Sequence, residues 1–103
     1  MPYHSKLESK DMDALCDAIL SLKTREECYR FFEDLCTIHE LQSMEQRFLV
    51  ARMLHAKDVY QNIAASTGAS TATISRVNRC LQYGAGGYQL VLKSLDPLEK
   101  GDK

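Results

Sequence analysis

Apolar residues recur along this chain at spacings of three and four, the repeat of a single helix face, and nowhere alternate with polar ones as a half-buried strand requires. Met12, Leu15, Ile19 and Leu22 form the first stripe, and Cys28, Phe31, Phe32 and Leu35 the second. A third segment carries Met44, Phe48, Leu49, Val50, Ala51, Met53 and Leu54. It is apolar around much of its circumference, which predicts a place at the centre of the assembly. Ile74, Val77 and Leu81 make one later stripe, and Tyr88, Val91, Leu92 and Leu95 another. The predicted fold class is all-α.

Helix-start signals divide these stripes into six helices. A capping box sets a Ser, Thr or Asp before a Glu or Gln on the next turn, and each side chain satisfies a backbone amide that the new helix leaves unpaired. Ser5 with Glu8, Thr24 with Glu27, Ser43 with Gln46 and Asp58 with Gln61 fit the pattern. The fourth helix must end before Gly68, and a fifth starts at Ser70 or Thr71 and runs to about Gln82. Gly84, Gly86 and Gly87 break the chain, and the sixth helix is expected to stop before Pro97. The organisation predicted is one helical domain over residues 1–97, with a frayed polar tail over 98–103.

A single core in a chain of 103 residues leaves little margin over the entropy it must offset, so a partner subunit would add to it. The chain is 45% apolar and 26% charged, which places it with folded soluble proteins rather than disordered ones. No apolar run approaches the ~20 residues of a membrane span, and the start of the chain lacks the apolar stretch of a signal peptide. A cytoplasmic protein without membrane contact is expected. Cys16, Cys28, Cys36 and Cys80 lack the close spacing of a metal or redox motif, and are read as small core hydrophobes. His4, His39 and His55 have no nucleophile at a recognisable spacing, and no glycine loop suits a phosphate, so an enzyme is not expected. His55 is placed at the end of the long helix, where a cation suits the dipole.

The net charge of −1 is unpromising for a nucleic-acid binder until its distribution is considered. Between Ser43 and Gln82 the basic residues Arg47, Arg52, Lys57, Arg76 and Arg79 face only Glu45 and Asp58. The preceding part of the chain is acidic. The basic middle contains Tyr60 to Arg79, YQNIAASTGASTATISRVNR, which has the requirements of a helix-turn-helix over about 59–82. Ala64 is the small residue at the helix crossing, Gly68 tolerates the positive φ of the turn, and Ile63, Ala69, Ile74 and Val77 face inward. Thr67 fits its inward position less well than an apolar residue would. On the opposite side, Ala72, Ser75, Arg76 and Arg79 form a small, polar, cationic face suited to a major groove. The candidate DNA-binding residues are Gln61, Thr71, Ala72, Thr73, Ser75, Arg76, Arg79 and Gln82.

The segment GASTATISRVNRCLQ resembles the recognition segment of the tryptophan repressor family, and the resemblance runs without gaps from about Thr37 to Leu95. Within that family it looks like the Trp-repressor-related group of YerC/YecD type. The resemblance implies a six-helix chain, an intertwined homodimer in which two chains share one core, and double-stranded DNA as partner. It also matches Arg76 to an arginine that holds the tryptophan effector. The glycine that follows that arginine in tryptophan-binding members is here Val77, a serine on the same helix is Cys80, and the central-helix arginine that packs on the indole is Gln46, beside Arg47. A branched Val77 would obstruct an indole. The fold, the dimer and DNA binding are therefore carried over, whereas a tryptophan corepressor is not, and no cofactor is expected. An unknown small-molecule effector stays open, as does the choice between repression and activation.

One alternative is a helical protein-interaction module of the transcription machinery that reads no DNA. Salt dependence separates the two readings, because phosphate contacts release counterions.

Overall fold

The computed structural model describes residues 3–101, with side chains through Leu95. It contains six helices: α1 Lys10–Leu20, α2 Arg25–Leu35, α3 Ile38–His55, α4 Tyr60–Thr67, α5 Thr71–Tyr83 and α6 Gly87–Gly101. No strand occurs among the described residues, so the fold is all-α as the periodicity predicts. The chain divides into two compact units, one ending at Ile38 and the other beginning at His39.

In the first unit, α1 starts at Ser9, whose side chain accepts from the Met12 amide at 3.0 Å, and not at Ser5. The Ser5 hydroxyl accepts from the Leu7 amide instead, making an isolated turn. Both serines are competent caps and each is followed by a lysine, but two acidic residues, Asp11 and Asp13, lie in the turn after Ser9 and suit the positive end of a helix, against Glu8 alone after Ser5. The α2 start falls where expected. Thr24 Oγ1 accepts from the Glu27 amide at 3.1 Å, and Glu27 Oε1 returns to the Lys23 amide at 2.8 Å. The Phe31 and Phe32 rings lie 5.9 Å apart, yet no residue of α1 or α2 is buried.

The second unit holds the core. Val50 and Ala51 of α3, Ile63 of α4, Ala69, Ile74, Val77 and Leu81 around α5, and Leu92 of α6 are all buried, with Phe48, Met53, Leu54, Ala64 and Tyr88 packed against them. The α3 helix begins at Ile38, ahead of the expected Ser43, which lies half-buried inside it. Helix propagation costs less than nucleation, so α3 forms as one piece rather than restarting at a weak internal signal. At its other end the Lys57 amide donates to the Leu54 carbonyl and the Asp58 amide to the Met53 carbonyl, both at 3.0 Å. This is a Schellman closure, and it explains why Asp58 does not cap α4 as expected. Asp58 belongs to the end of α3, the N-cap of α4 is Val59, and no side chain caps that helix.

Two further expectations are corrected. The cysteines are free thiols, with Cys16 and Cys80 exposed and Cys28 and Cys36 half-buried, so none is a core residue. Cys16 follows Leu15 and Cys80 precedes Leu81, which turns each about 100° off the apolar stripe of its helix. The sixth helix runs through Pro97 to Gly101 rather than stopping before the proline. Proline biases the residue before it away from the helical region without forbidding it, so the helix continues past Pro97 at the cost of a backbone hydrogen bond. Residues 102–103 of the expected tail lie outside the described residues.

Candidate nucleic-acid interface

The α4–turn–α5 segment is held by local chemistry at each step. Gly68 closes α4 at φ 73°, ψ 5°, and its amide donates to the Ala64 carbonyl at 2.9 Å. A Cβ on Gly68 would meet nothing within 4 Å, so the position requires glycine for its dihedral and not for space. Ser70 then caps α5, accepting from the Thr73 amide at 3.1 Å. Thr67 is better suited to its place than the apolar pattern suggests. Its hydroxyl donates to the Ile63 carbonyl at 2.7 Å and accepts from the Ala69 amide at 3.1 Å, bridging the turn. Gln46, on α3, reaches the same residue, its Nε2 donating to the Thr67 carbonyl at 3.1 Å.

Ile74, Val77 and Leu81 are 1%, 2% and 6% exposed, so α5 commits one face wholly to the core. Thr71, Ala72, Ser75, Arg76, Arg79 and Gln82 are exposed on its remaining surface, and Gln61 is exposed on α4. Thr73 is the exception. It is half-buried, and its hydroxyl accepts from the Ser70 hydroxyl at 3.1 Å, which ties it to the cap. Tyr83, which is not among the candidates drawn from the sequence, is 86% exposed at the end of α5. Spacings of four from Arg79 and seven from Arg76 place it on their side of the helix, a relation the sequence alone carries.

Among the described residues neither Arg76 nor Arg79 has a carboxylate partner, in contrast to Arg30, which binds Glu26 at 2.9 Å. No Asp or Glu occurs anywhere between Asp58 and Asp96, so α4, α5 and the turn between them carry two arginines and no carboxylate. Of the residues matched to an effector site, Val77 is buried in the core. Cys80 instead lines an apolar cavity of about 500 Å³ with Phe48, Tyr88 and Val91. No group of three His, Cys, Asp or Glu side chains able to hold a metal gathers among the described residues. Nor is any helix among them long and apolar enough to cross a membrane.

A short helix, an αL glycine turn and a second helix with arginines on its outer face make a helix-turn-helix, the arrangement found in one class of DNA-binding regulators. The chain belongs to the Trp repressor family, whose description as Trp repressor protein matches residues 10–96, and it is therefore a member of a family of DNA-binding transcriptional regulators. It is 56% identical over 94 residues to the uncharacterized protein YerC of Bacillus subtilis (strain 168), covering 91% of this chain and 90% of that one. Among solved structures it is similar to a TrpR like protein from Eubacterium eligens ATCC 27750, with a TM-score of 0.84 and 56% identity over 87% of this chain and 93% of that chain. It is also similar to a candidate Trp repressor from Staphylococcus aureus, with a TM-score of 0.84 and 50% identity over 88% of this chain and 91% of the other.

Proposed function

We propose that this chain is a homodimeric regulator of transcription, with repression as its mode of action, that inserts α5 into the DNA major groove. The observation that carries the reading is the division of α5 into a buried apolar face and an exposed face where Arg76 and Arg79 stand without carboxylates. Ala72, Ser75 and the arginines reach base edges, with Ala72 suited to a thymine methyl and the arginines to guanine or phosphate. Thr71, Gln82 and Gln61 flank that face, and Tyr83 extends it. Thr73 acts through the cap of α5. Tryptophan is not the effector in this reading, because a branched and buried Val77 stands where the resembling tryptophan-binding members keep a glycine. The protein performs no chemistry of its own.

Selection from a random DNA pool, carried out without tryptophan, supplies a preferred site on which the reading is tested. Arg79→Ala should weaken binding there by about 1–3 kcal/mol if it reads a base, or lower the salt slope by about one unit if it neutralises a phosphate. Added tryptophan should leave the wild-type affinity unchanged. If Arg76→Ala and Arg79→Ala together change neither affinity nor salt slope, the face does not bind DNA, and a protein partner takes its place.

A further inference from the structure

Within this unit α4 with α5 and α5 with α6 are the closest helix pairs, and α3 shares the core of the hairpin through Val50 and Ala51, with Phe48, Met53 and Leu54 packed against it. Apolar burial is non-directional, so it sets the angle at which the hairpin leaves the core less narrowly than a directional bond does. The hydrogen bond from Gln46 Nε2 to the Thr67 carbonyl does have a direction. It joins α3 to the last residue of α4, next to the αL glycine from which α5 departs. Thr67 is fixed in turn by its own hydroxyl, bonded on one side to Ile63 and on the other to Ala69. The carboxamide therefore acts on a rigid turn and not on a loose loop.

We propose that Gln46 is a positioning residue for DNA recognition, a strut that sets the hairpin, and with it the reading helix, against α3. This rests on the DNA reading above. Gln46 lies half-buried on α3 with its amide nitrogen committed to the Thr67 carbonyl, so its effect passes through Thr67 and Gly68 to the start of α5. A tilted reading helix would lose base contacts, which need fixed geometry, but would retain attraction between exposed arginines and any phosphate backbone.

The test compares wild type, Gln46→Met and Gln46→Arg for affinity to the selected site and to unrelated duplex, with amide hydrogen exchange at Gly68 and Ala69 measured on the free protein. Methionine keeps the length and apolar stem but removes the donor. Arginine keeps an N–H donor, Nε, the same number of bonds from the backbone. Gln46→Met should lose about tenfold in affinity for the selected site, the size of one net hydrogen bond, while keeping its affinity for unrelated duplex. Exchange at Gly68 and Ala69 should quicken, and Gln46→Arg should restore both properties. Wild-type failure to bind any duplex would overturn the DNA reading itself, before any variant is compared. If wild type binds and Gln46→Met matches it in specific affinity and exchange, the strut alone is overturned. A loss shared equally by selected and unrelated DNA, accompanied by reduced helicity, would also overturn it in favour of a plain stability role.

Discussion

The Thr67 hydroxyl donates to the Ile63 carbonyl one turn back at 2.7 Å, and through the same oxygen it accepts from the amide of Ala69 beyond the glycine. The bond to Ile63 is the back-bond a threonine makes to the carbonyl four residues earlier, and it holds the hydroxyl where it can partner an amide that lies beyond the helix end. Ala69 is 5% exposed, so its amide has little access to water as a substitute. Thr67→Val keeps the shape and removes the hydroxyl, leaving a buried amide unpaired. Loss of about 1–3 kcal/mol in chemical denaturation is expected. A gain would mean that the apolar pattern, which favours valine here, is the better guide.

Lys57 adopts φ 70° at the Schellman closure of α3, a conformation in which an L side chain crowds its own backbone. Glycine is the residue this position favours. Lys57→Gly should therefore raise the stability by about 0.5–1 kcal/mol, with the strain relieved in the folded state outweighing the added freedom of the unfolded one. An unchanged or lowered Tm would show that the lysine contributes something the backbone geometry does not account for.

Gly68 and Gly84 both flank α5 but are glycines for different reasons. At Gly68 the space is open and only the positive φ resists a side chain. At Gly84 a Cβ would fall on the Cys80 carbonyl, closer than real Cβ contacts come, and the obstacle is backbone that cannot rotate away. Gly68→Ala should cost about 1 kcal/mol. Gly84→Ala should cost more and should disturb the α5–α6 junction, where Gln89 Nε2 donates to the Leu81 carbonyl at 2.9 Å. Paired thermal melts would check the order, and equal costs would contradict it.

The parts of this fold legible in the sequence are those decided by neighbours along the chain. Gly68, the Ser70 cap and the Ile74, Val77 and Leu81 stripe fall where the sequence pattern puts them, because a dihedral, a cap and a helix face are local properties. Ser5 and Asp58 were misleading for a shared reason: each carries a good capping side chain, but Ser9 has the better-charged first turn and Asp58 is committed to closing α3. Thr67 was misjudged because a helical wheel ranks side chains by polarity and cannot show a hydroxyl whose partners are backbone atoms. Its tie to Gln46 spans 21 residues and has no sequence signature. Tyr83, by contrast, stood in plain register with Arg76 and Arg79 and needed only that the helix be followed one residue further.

Leu20 is 80% exposed, Tyr29 64%, Leu35 50% and Ile38 75%, and no residue of α1 or α2 is buried within its own chain. Covering one such leucine or isoleucine stabilises a protein by about 1.5–3 kcal/mol, so a set of them left in water forfeits stability comparable to that of a whole small domain. A second copy of the chain, as proposed above, provides the cover. Folding and association then become one equilibrium, and the melting temperature should fall as the protein is diluted. Leu20→Glu separates this from a lone folded chain. On a free surface the substitution should change stability by no more than about 0.5 kcal/mol, whereas against a partner it buries an unpaired carboxylate and should convert dimer to unfolded monomer. Light scattering with circular dichroism across a dilution series reads both quantities. A well-folded monomer at low micromolar concentration, indifferent to Leu20→Glu, would refute the shared core.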